Sequence, residues 1–243
     1  VSGGKDSLAL WDILHQLGYT THGLYLDLGI RGFSEGSQQA IHAFAQKHGL
    51  PWSVYSLQEE FGFSIPQIRA KIRGKICAYC GRLKRYFFNC LTRRHGAYIL
   101  ATGHNLDDEA GRLLGNLIGQ RTEYVKKQVP YLPSPHHKIP SKVKPLYRVD
   151  RKEIITYCHL RGIDFFSGVC PLAKGATSHT MKRALETIES EMPGTKRNFL
   201  FSYIQQASAE TDGSSFGLCM QCGQPTYADL CSVCHLKNKL SNL

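Results

Sequence analysis

Seven of the nine cysteines stand in spaced sets, and that spacing is the first chemistry visible in the chain. Cys219-Met220-Gln221-Cys222-Gly223 and Cys231-Ser232-Val233-Cys234 form a C-x2-C-x8-C-x2-C pattern. Four thiolates on two knuckles close a tetrahedron around Zn2+, and so short a unit scarcely folds without the ion. With every coordination position filled, a structural or RNA-contacting role is expected. Cys77-Ala78-Tyr79-Cys80-Gly81 and Cys170-Pro171 make the second set. A CxxC by itself is ambiguous among metal site, redox pair and coincidence, and Cys170 alone could simply be buried. Two thiols just ahead of a helix are expected to be acidified by its dipole, with Lys84 and Arg85 adding positive potential. Cys90 and Cys158 occupy apolar positions in predicted helices and read as buried, inert thiols.

Ser2-Gly3-Gly4-Lys5-Asp6-Ser7 puts adjacent glycines and hydroxyls at a helix start. Glycines let backbone approach an anion, and the exposed N–H groups and helix dipole favour negative charge there. The GxxxxGK spacing of a Walker A loop is absent, and a bare SGG is more often an ordinary capped turn. Thr102-Gly103-His104-Asn105-Leu106-Asp107-Asp108 changes that balance. It places two carboxylates past the end of a predicted strand, where open α/β sheets bind ligands. Carboxylates beside a phosphate cradle suggest Mg2+, with helix capping as the plainer use of the same residues.

Elements must hold these groups. Leu8, Leu10, Trp11, Leu14 and Leu17 recur at helical spacing and stop at Gly18. Helices are also predicted over 38–48, 81–94, 107–118 and 151–161, and strands over 22–26, 52–57 and 98–102, with a short strand ahead of Cys170. This alternation gives an α/β fold with a doubly wound, mostly parallel sheet. Residues 126–144 carry five lysines, four prolines and the pair His136-His137, and read as an extended, exposed basic loop. Residues 178–206 predict two helices parted by Pro193-Gly194. The expected organisation is a catalytic domain over 1–208, a linker over 209–216 and a cysteine module over 217–243. A glycine turn of this kind normally follows a buried strand, of which only Val1 is present, so a missing N-terminal strand is expected.

The chain has 243 residues, 42% of them hydrophobic, enough for a core. No apolar run approaches the roughly 20 residues that span a bilayer, and no secretory pattern opens the chain, so a soluble, cytoplasmic protein with no membrane partner is expected. Thirty Lys and Arg against 19 Asp and Glu give a formal charge of +11, which suits a nucleic acid. Arg69, Lys71, Arg73 and Lys75 precede the CxxC, and Arg82, Lys84 and Arg85 follow it. They are expected to line the RNA approach, with 126–144 adding phosphate contacts, although any single lysine is more often only a solvated charge.

SGGKDS followed by a strand ending in TGHNLDDE resembles the PP-loop (N-type) ATP pyrophosphatases, which split ATP between the α and β phosphates. Adding Cys77-Ala78-Tyr79-Cys80-Gly81, Lys84-Arg85-Tyr86, Val143-Lys144-Pro145-Leu146-Tyr147-Arg148, Cys170-Pro171 and Gly175-Ala176-Thr177-Ser178, nearly the whole chain resembles the two-thiouridine synthetase family of tRNA thiolases. The likeness is greatest to its ribothymidine-54 branch and the related wobble-uridine enzymes. It implies ATP with Mg2+ at Ser2, Gly3, Gly4, Lys5, Asp6, Ser7, Gly103 and His104. It implies a [4Fe–4S] cluster on Cys77, Cys80 and Cys170, with one iron left free of protein ligands to take up sulfur. Asp6, Lys84 and Asp108 match positions that the family requires for activity. The implied reaction adenylates a tRNA uridine at its C2 oxygen and replaces that oxygen with sulfur, supplied as sulfide or by a thiocarboxylated ubiquitin-like carrier protein. Homodimers are common in the family.

A second route would carry a persulfide on Cys77 or Cys80, with Cys170 resolving it as a disulfide. Other readings are a PP-loop ligase or amidotransferase acting on a small molecule, tRNA 2-thiocytidine formation, and a non-enzymatic RNA-binding zinc protein. One departure from the family is that its members carry a second zinc module ahead of the PP-loop, which fits the expectation of a missing N-terminal part.

Overall fold

The computed structural model describes residues 1–173, 177–206 and 216–242. Helix α1 (Lys5–Gln16) leaves the glycine turn and buries Leu8, Ala9, Leu10 and Trp11. Strand β1 (Gly23–Asp27) leads through α2 (Phe33–His48) to β2 (Trp52–Ser56), which pairs with β1 in parallel, Gly23 opposite Trp52. Short helices α3 (Leu57–Phe61) and α4 (Ile65–Lys71) are each capped by a serine side chain and lead to α5 (Ile76–Arg94). Then come β3 (Ile99–Ala101), α6 (Leu106–Ile118), α7 (Thr122–Lys126), β4 (Tyr131–Leu132), β5 (Ser141–Val143) and a 3-10 turn (Pro145–Arg148). Helices α8 (Arg151–Leu160), α9 (Thr177–Glu191) and α10 (Thr195–Gln206) follow, and β6 (Gly217–Leu218), β7 (Pro225–Thr226) and α11 (Ser232–Ser241) build the cysteine module. No helix among the described residues is long and apolar enough to cross a membrane.

Three local expectations change. Helix α5 begins at Ile76 rather than at 81, so the CxxC lies in its first turns. Ile76 is buried in line with Leu83, Phe87 and Leu91, and that apolar stripe draws the helix start ahead of the cysteines. Residues 126–144 are not one loop: β5 pairs with β3 in parallel and with β4 antiparallel, placing Lys142 opposite Leu100. Residues 163–170 form no strand. Of the expected linker, only Phe216 lies within the described residues.

Apolar side chains collect in three places. One cluster lies under α1, α2 and α8, and another under α6, α9 and α10. The third joins β1, α4 and α5 to α11 of the cysteine module. Asp12 fastens the first from within: fully buried on α1, it accepts a 2.6 Å hydrogen bond from the Tyr157 hydroxyl and a 3.0 Å bond from Arg161 Nε. Burial by itself raises its pKa, but these two donors and the Arg161 charge outweigh burial and hold it below the usual carboxylate value. A lowered folded pKa means that the group stabilises the fold above its unfolded pKa of about 3.9 and loses that contribution as pH falls through the folded value. Asp12→Asn is expected to cost about 3 kcal/mol at pH 7, at the low end for a broken buried pair because Arg161 can regain water. Urea unfolding at pH 7 and pH 3 checks this: the gap between variant and parent should narrow at pH 3, and an unchanged gap would refute the assignment.

Candidate functional site

The glycine turn is shaped by close approach. Gly3 takes φ +73°, and a Cβ there would lie 2.4 Å from the Ser37 carbonyl oxygen, so only glycine lets the turn press against α2. Gly4 caps α1, its carbonyl accepting from the Ser7 and Leu8 amides at 3.1 and 3.2 Å. The Ser7 hydroxyl donates to Gly4 O at 2.9 Å and accepts from the Ser2 amide at 3.0 Å. Lys5 Nζ and Asn105 Nδ2 both donate to Asp6 Oδ1, at 2.5 and 2.8 Å. Gly103 completes the join, since a Cβ there would lie 2.8 Å from the Asp6 carbonyl oxygen. SGGKDS and TGHN therefore form one surface at the mouth of the sheet.

The two following carboxylates divide. Asn105 caps α6 in a reciprocal box with Asp108: the Asp108 amide donates to Asn105 Oδ1 at 2.9 Å, and the Asn105 amide to Asp108 Oδ2 at 3.3 Å. Lys182 of α9 donates to Asp108 Oδ1. Asp107 accepts from the Arg151 amide and from Lys196 Nζ, both at 2.7 Å. Burial acts to raise its pKa, but these donors prevail and lower it. Asp107 thus fastens α6 to α8 and α10, with an oxygen given to each, while Asp6 and Asp108 stay beside the turn. The cap N-x-x-D was readable in the sequence; Lys182 and Lys196 carry no local signal.

Cys77 and Cys80 lie one helical turn apart on α5, and Cys170 reaches them from a distant segment. The Phe166 amide donates to Gly3 O at 2.9 Å, tying the segment ahead of Cys170 to the glycine turn. Beyond it, the Ala173 amide donates to Cys170 O at 3.0 Å, and the Cys77 thiol donates to Leu172 O at 3.8 Å. Cys80 is close enough to both other cysteines that each acts on its ionisation. The expected acidification fails at Cys80: burial raises its pKa and outweighs the opposing Lys84 charge. Cys77 and the segment of Cys170 thus meet, and three thiols are a donor set that suits a cluster with one iron free of protein ligands.

The four C-terminal sulfurs lie within 4.8 Å of one another, with Cys222 Sγ 3.7 Å from Cys231 Sγ. A tetrahedron with Zn–S bonds of about 2.3 Å has edges of about 3.8 Å, so the cage suits that ion. Backbone amides of Cys231 and Cys234 donate to Cys219 Sγ and Cys231 Sγ at 3.2 and 3.4 Å. Burial tends to raise the Cys219 pKa, but amide donors bring it down to about 6. Cys158 is fully buried, and burial pushes its thiol up to about 11. Cys90 is half-buried beside Tyr86 and Cys222, with burial likewise raising it to about 11.

Several basic residues expected on the RNA approach are spoken for. Lys71 donates to Leu240 O at 3.2 Å and Lys138 to Gly223 O at 2.8 Å, both holding the cysteine module. Lys144 pairs with Glu109 at 2.7 Å, the two side chains only 11% and 4% exposed. Lys144 lies just past β5, at the start of the 3-10 turn.

Residues 1–169 match the PP-loop domain family. The chain is 42% identical over 240 residues to the tRNA-5-methyluridine(54) 2-sulfurtransferase of Thermus thermophilus, covering 97% of this chain and 74% of that protein. It is 38% identical over 237 residues to the enzyme of the same name from Pyrococcus horikoshii, covering 96% and 76%. Among solved structures, the U34-tRNA thiolase NcsA from Methanococcus maripaludis, determined with its [4Fe–4S] cluster, shares the fold with a TM-score of 0.83 at 21% identity, over 99% of this chain and 79% of that one. A glycine turn joined to TGHN and these relatives lead to one conclusion: the chain belongs to the PP-loop tRNA 2-sulfurtransferase family.

Proposed function

We propose that this chain catalyses ATP-dependent 2-thiolation of a tRNA uridine, with the methylated uridine at position 54 favoured by the two relatives named above. AMP passes from ATP to the C2 oxygen of the base with release of pyrophosphate, and sulfur then displaces AMP at C2. An oxygen bound to carbon is a poor leaving group, and adenylation makes it a good one. The amides and hydroxyls of Ser2, Gly3, Gly4 and Ser7 hold phosphate at the start of α1, with Gly103 and His104 forming the facing wall. Lys5 and Lys84 offset the charge that grows on phosphate during transfer. Asp6 and Asp108 are the residues that would carry Mg2+.

Cys77, Cys80 and Cys170 would hold the [4Fe–4S] cluster, which when bound supplies an iron free to receive sulfur from sulfide or a carrier protein. Residues 217–242 would bind Zn2+ as a structural module. The reading places the protein in the cytoplasm, where thiols stay reduced and tRNA is found. A homodimer is part of the proposal on family grounds alone. The observation that carries it is the bond from the Phe166 amide to Gly3 O, which brings the Cys170 segment to the edge of the phosphate turn. Mass spectrometry of tRNA nucleosides, after anaerobic incubation of iron-reconstituted protein with ATP and sulfide, tests it. A thiolated uridine is expected; thiocytidine, or AMP release without any thiolated nucleoside, would overturn it.

A further inference from the structure

Helix α9 sits on α6 over small residues. Gly111 and Gly115 stand one turn apart on α6. A Cβ on Gly111 would lie 3.0 Å from Lys182 Cγ and 3.6 Å from the Lys182 amide nitrogen, and one on Gly115 would lie 3.5 Å from Met181 Cγ. Nearly one turn further along α9, Leu185 packs with Leu106, Ala110 and Leu113 of α6. This close seat lays the stem of Lys182 against α6, and its Nζ donates to Asp108 Oδ1 across 74 positions of sequence.

That contact ends an unbroken line of polar groups. Asp108 Oδ2 accepts from the Asn105 amide at 3.3 Å, Asn105 Nδ2 donates to Asp6 Oδ1 at 2.8 Å, and Lys5 Nζ donates to the same oxygen at 2.5 Å. Each carboxylate beside the glycine turn therefore has its own ammonium, Lys5 from the neighbouring position and Lys182 from another helix. Stability is a poor account of the second pair. Its side chains are 41% and 25% exposed, and ion pairs so open to water contribute little to folding. Its effect is geometric. Oδ2 has only a long bond to the Asn105 amide, so Lys182 is the donor that fixes how the Asp108 carboxylate is turned. Each carboxylate oxygen keeps a lone pair to offer besides.

We propose, resting on the thiolase reading for the reaction served, that Lys182 is a positioning residue of the active site. It holds Asp108 in place relative to Asp6 and clamps α9, the helix that follows Cys170 in the chain, to the nucleotide turn. A misplacement of about 1 Å in a reacting constellation costs about a hundredfold in rate, so a lysine that touches no substrate still governs turnover.

Lys182→Met and Lys182→Arg test it in the full-length metal-reconstituted protein. Met keeps an apolar stem on Gly111 and removes the ammonium, whereas Arg keeps a cationic donor. Single-turnover thiolation at saturating ATP should fall about thirtyfold or more in the Met variant and recover to within about fivefold of the parent in the Arg variant. The ATP dissociation constant and the melting temperature should stay at parental values in both, since the glycine turn and the α6–α9 seat are untouched. Hydrogen exchange gives a readout without turnover: amides of residues 103–108 and of α9 should exchange faster together in the Met variant, and at the parental rate in the Arg variant. A lysine that only packs would leave rate and exchange unchanged in the Met variant, and parental turnover there, or parental exchange at 103–108, overturns the proposal. Equal losses in the two variants overturn it too, because they tie the effect to the shape of residue 182 rather than to its donor. An absence of thiolated nucleoside from the parent protein is a separate failure: it tells against the thiolase reading, while the exchange measurement still decides the clamp.

Discussion

Cys170→Ser is expected to lose about a hundredfold or more in tRNA thiolation, together with most of its bound iron and its absorbance near 400 nm after anaerobic reconstitution. The alcohol oxygen of serine is a harder and far less acidic ligand than a thiolate, so one of the three proposed anchors would be removed. The fold should survive, because Cys170 is only partly buried and its turn is closed by backbone, the Ala173 amide donating to Cys170 O. ATP binding should survive as well, since the phosphate cradle lies in the glycine turn. Iron analysis and single-turnover thiolation check the prediction together. If Cys170 instead resolves a persulfide, the variant binds as much iron as the parent and recovers single-turnover activity with added reductant. Wild-type iron and wild-type turnover together would exclude both roles.

If the C-terminal cage holds Zn2+ as proposed, removing that ion should be more damaging to the whole protein than the small size of the module suggests. Apparent metal-binding free energies of small zinc modules are about 10–16 kcal/mol, and most of that is folding free energy. Here the module is not a loose appendage: Val233, Leu236 and Leu240 of α11 pack with Leu83, Phe87 and Leu91 of α5. Lys71 and Lys138 bind its backbone besides. Chelation, or Cys231→Ser, should therefore expose the apolar face of α5 and lower the melting temperature of the chain by about 10 °C or more in one transition. Calorimetry with and without chelator, with zinc quantified alongside, checks this. A main transition that stays in place on complete metal loss would show that the module contributes nothing to the stability of the α5 face.

Legibility followed distance along the chain. The alternation of helices and strands, the stop at Gly18 and the C-x2-C-x8-C-x2-C cage are local, and their physics is contained in a dozen or so neighbouring residues. The start of α5 was misjudged because the deciding contact, buried Ile76, is tertiary, while the CxxC and Gly81 look locally like a helix entrance. Residues 126–144 looked like a loop because prolines and lysines dominate, yet a strand as short as β5 takes its partners from β3 and β4 rather than from its own propensity.

Sequence by itself determined which groups are available for chemistry: the glycines and hydroxyls of the turn, the thiols in pairs, and a large basic excess. Only the tertiary structure decided how each is spent. Asp107 became a fastener through Lys196, and Lys144 was neutralised by Glu109. The physical reason is that a residue's type sets its charge and its donors within the side chain itself. The partner that satisfies or opposes it is chosen by packing, which brings together residues such as Lys196 and Asp107 that lie 89 positions apart.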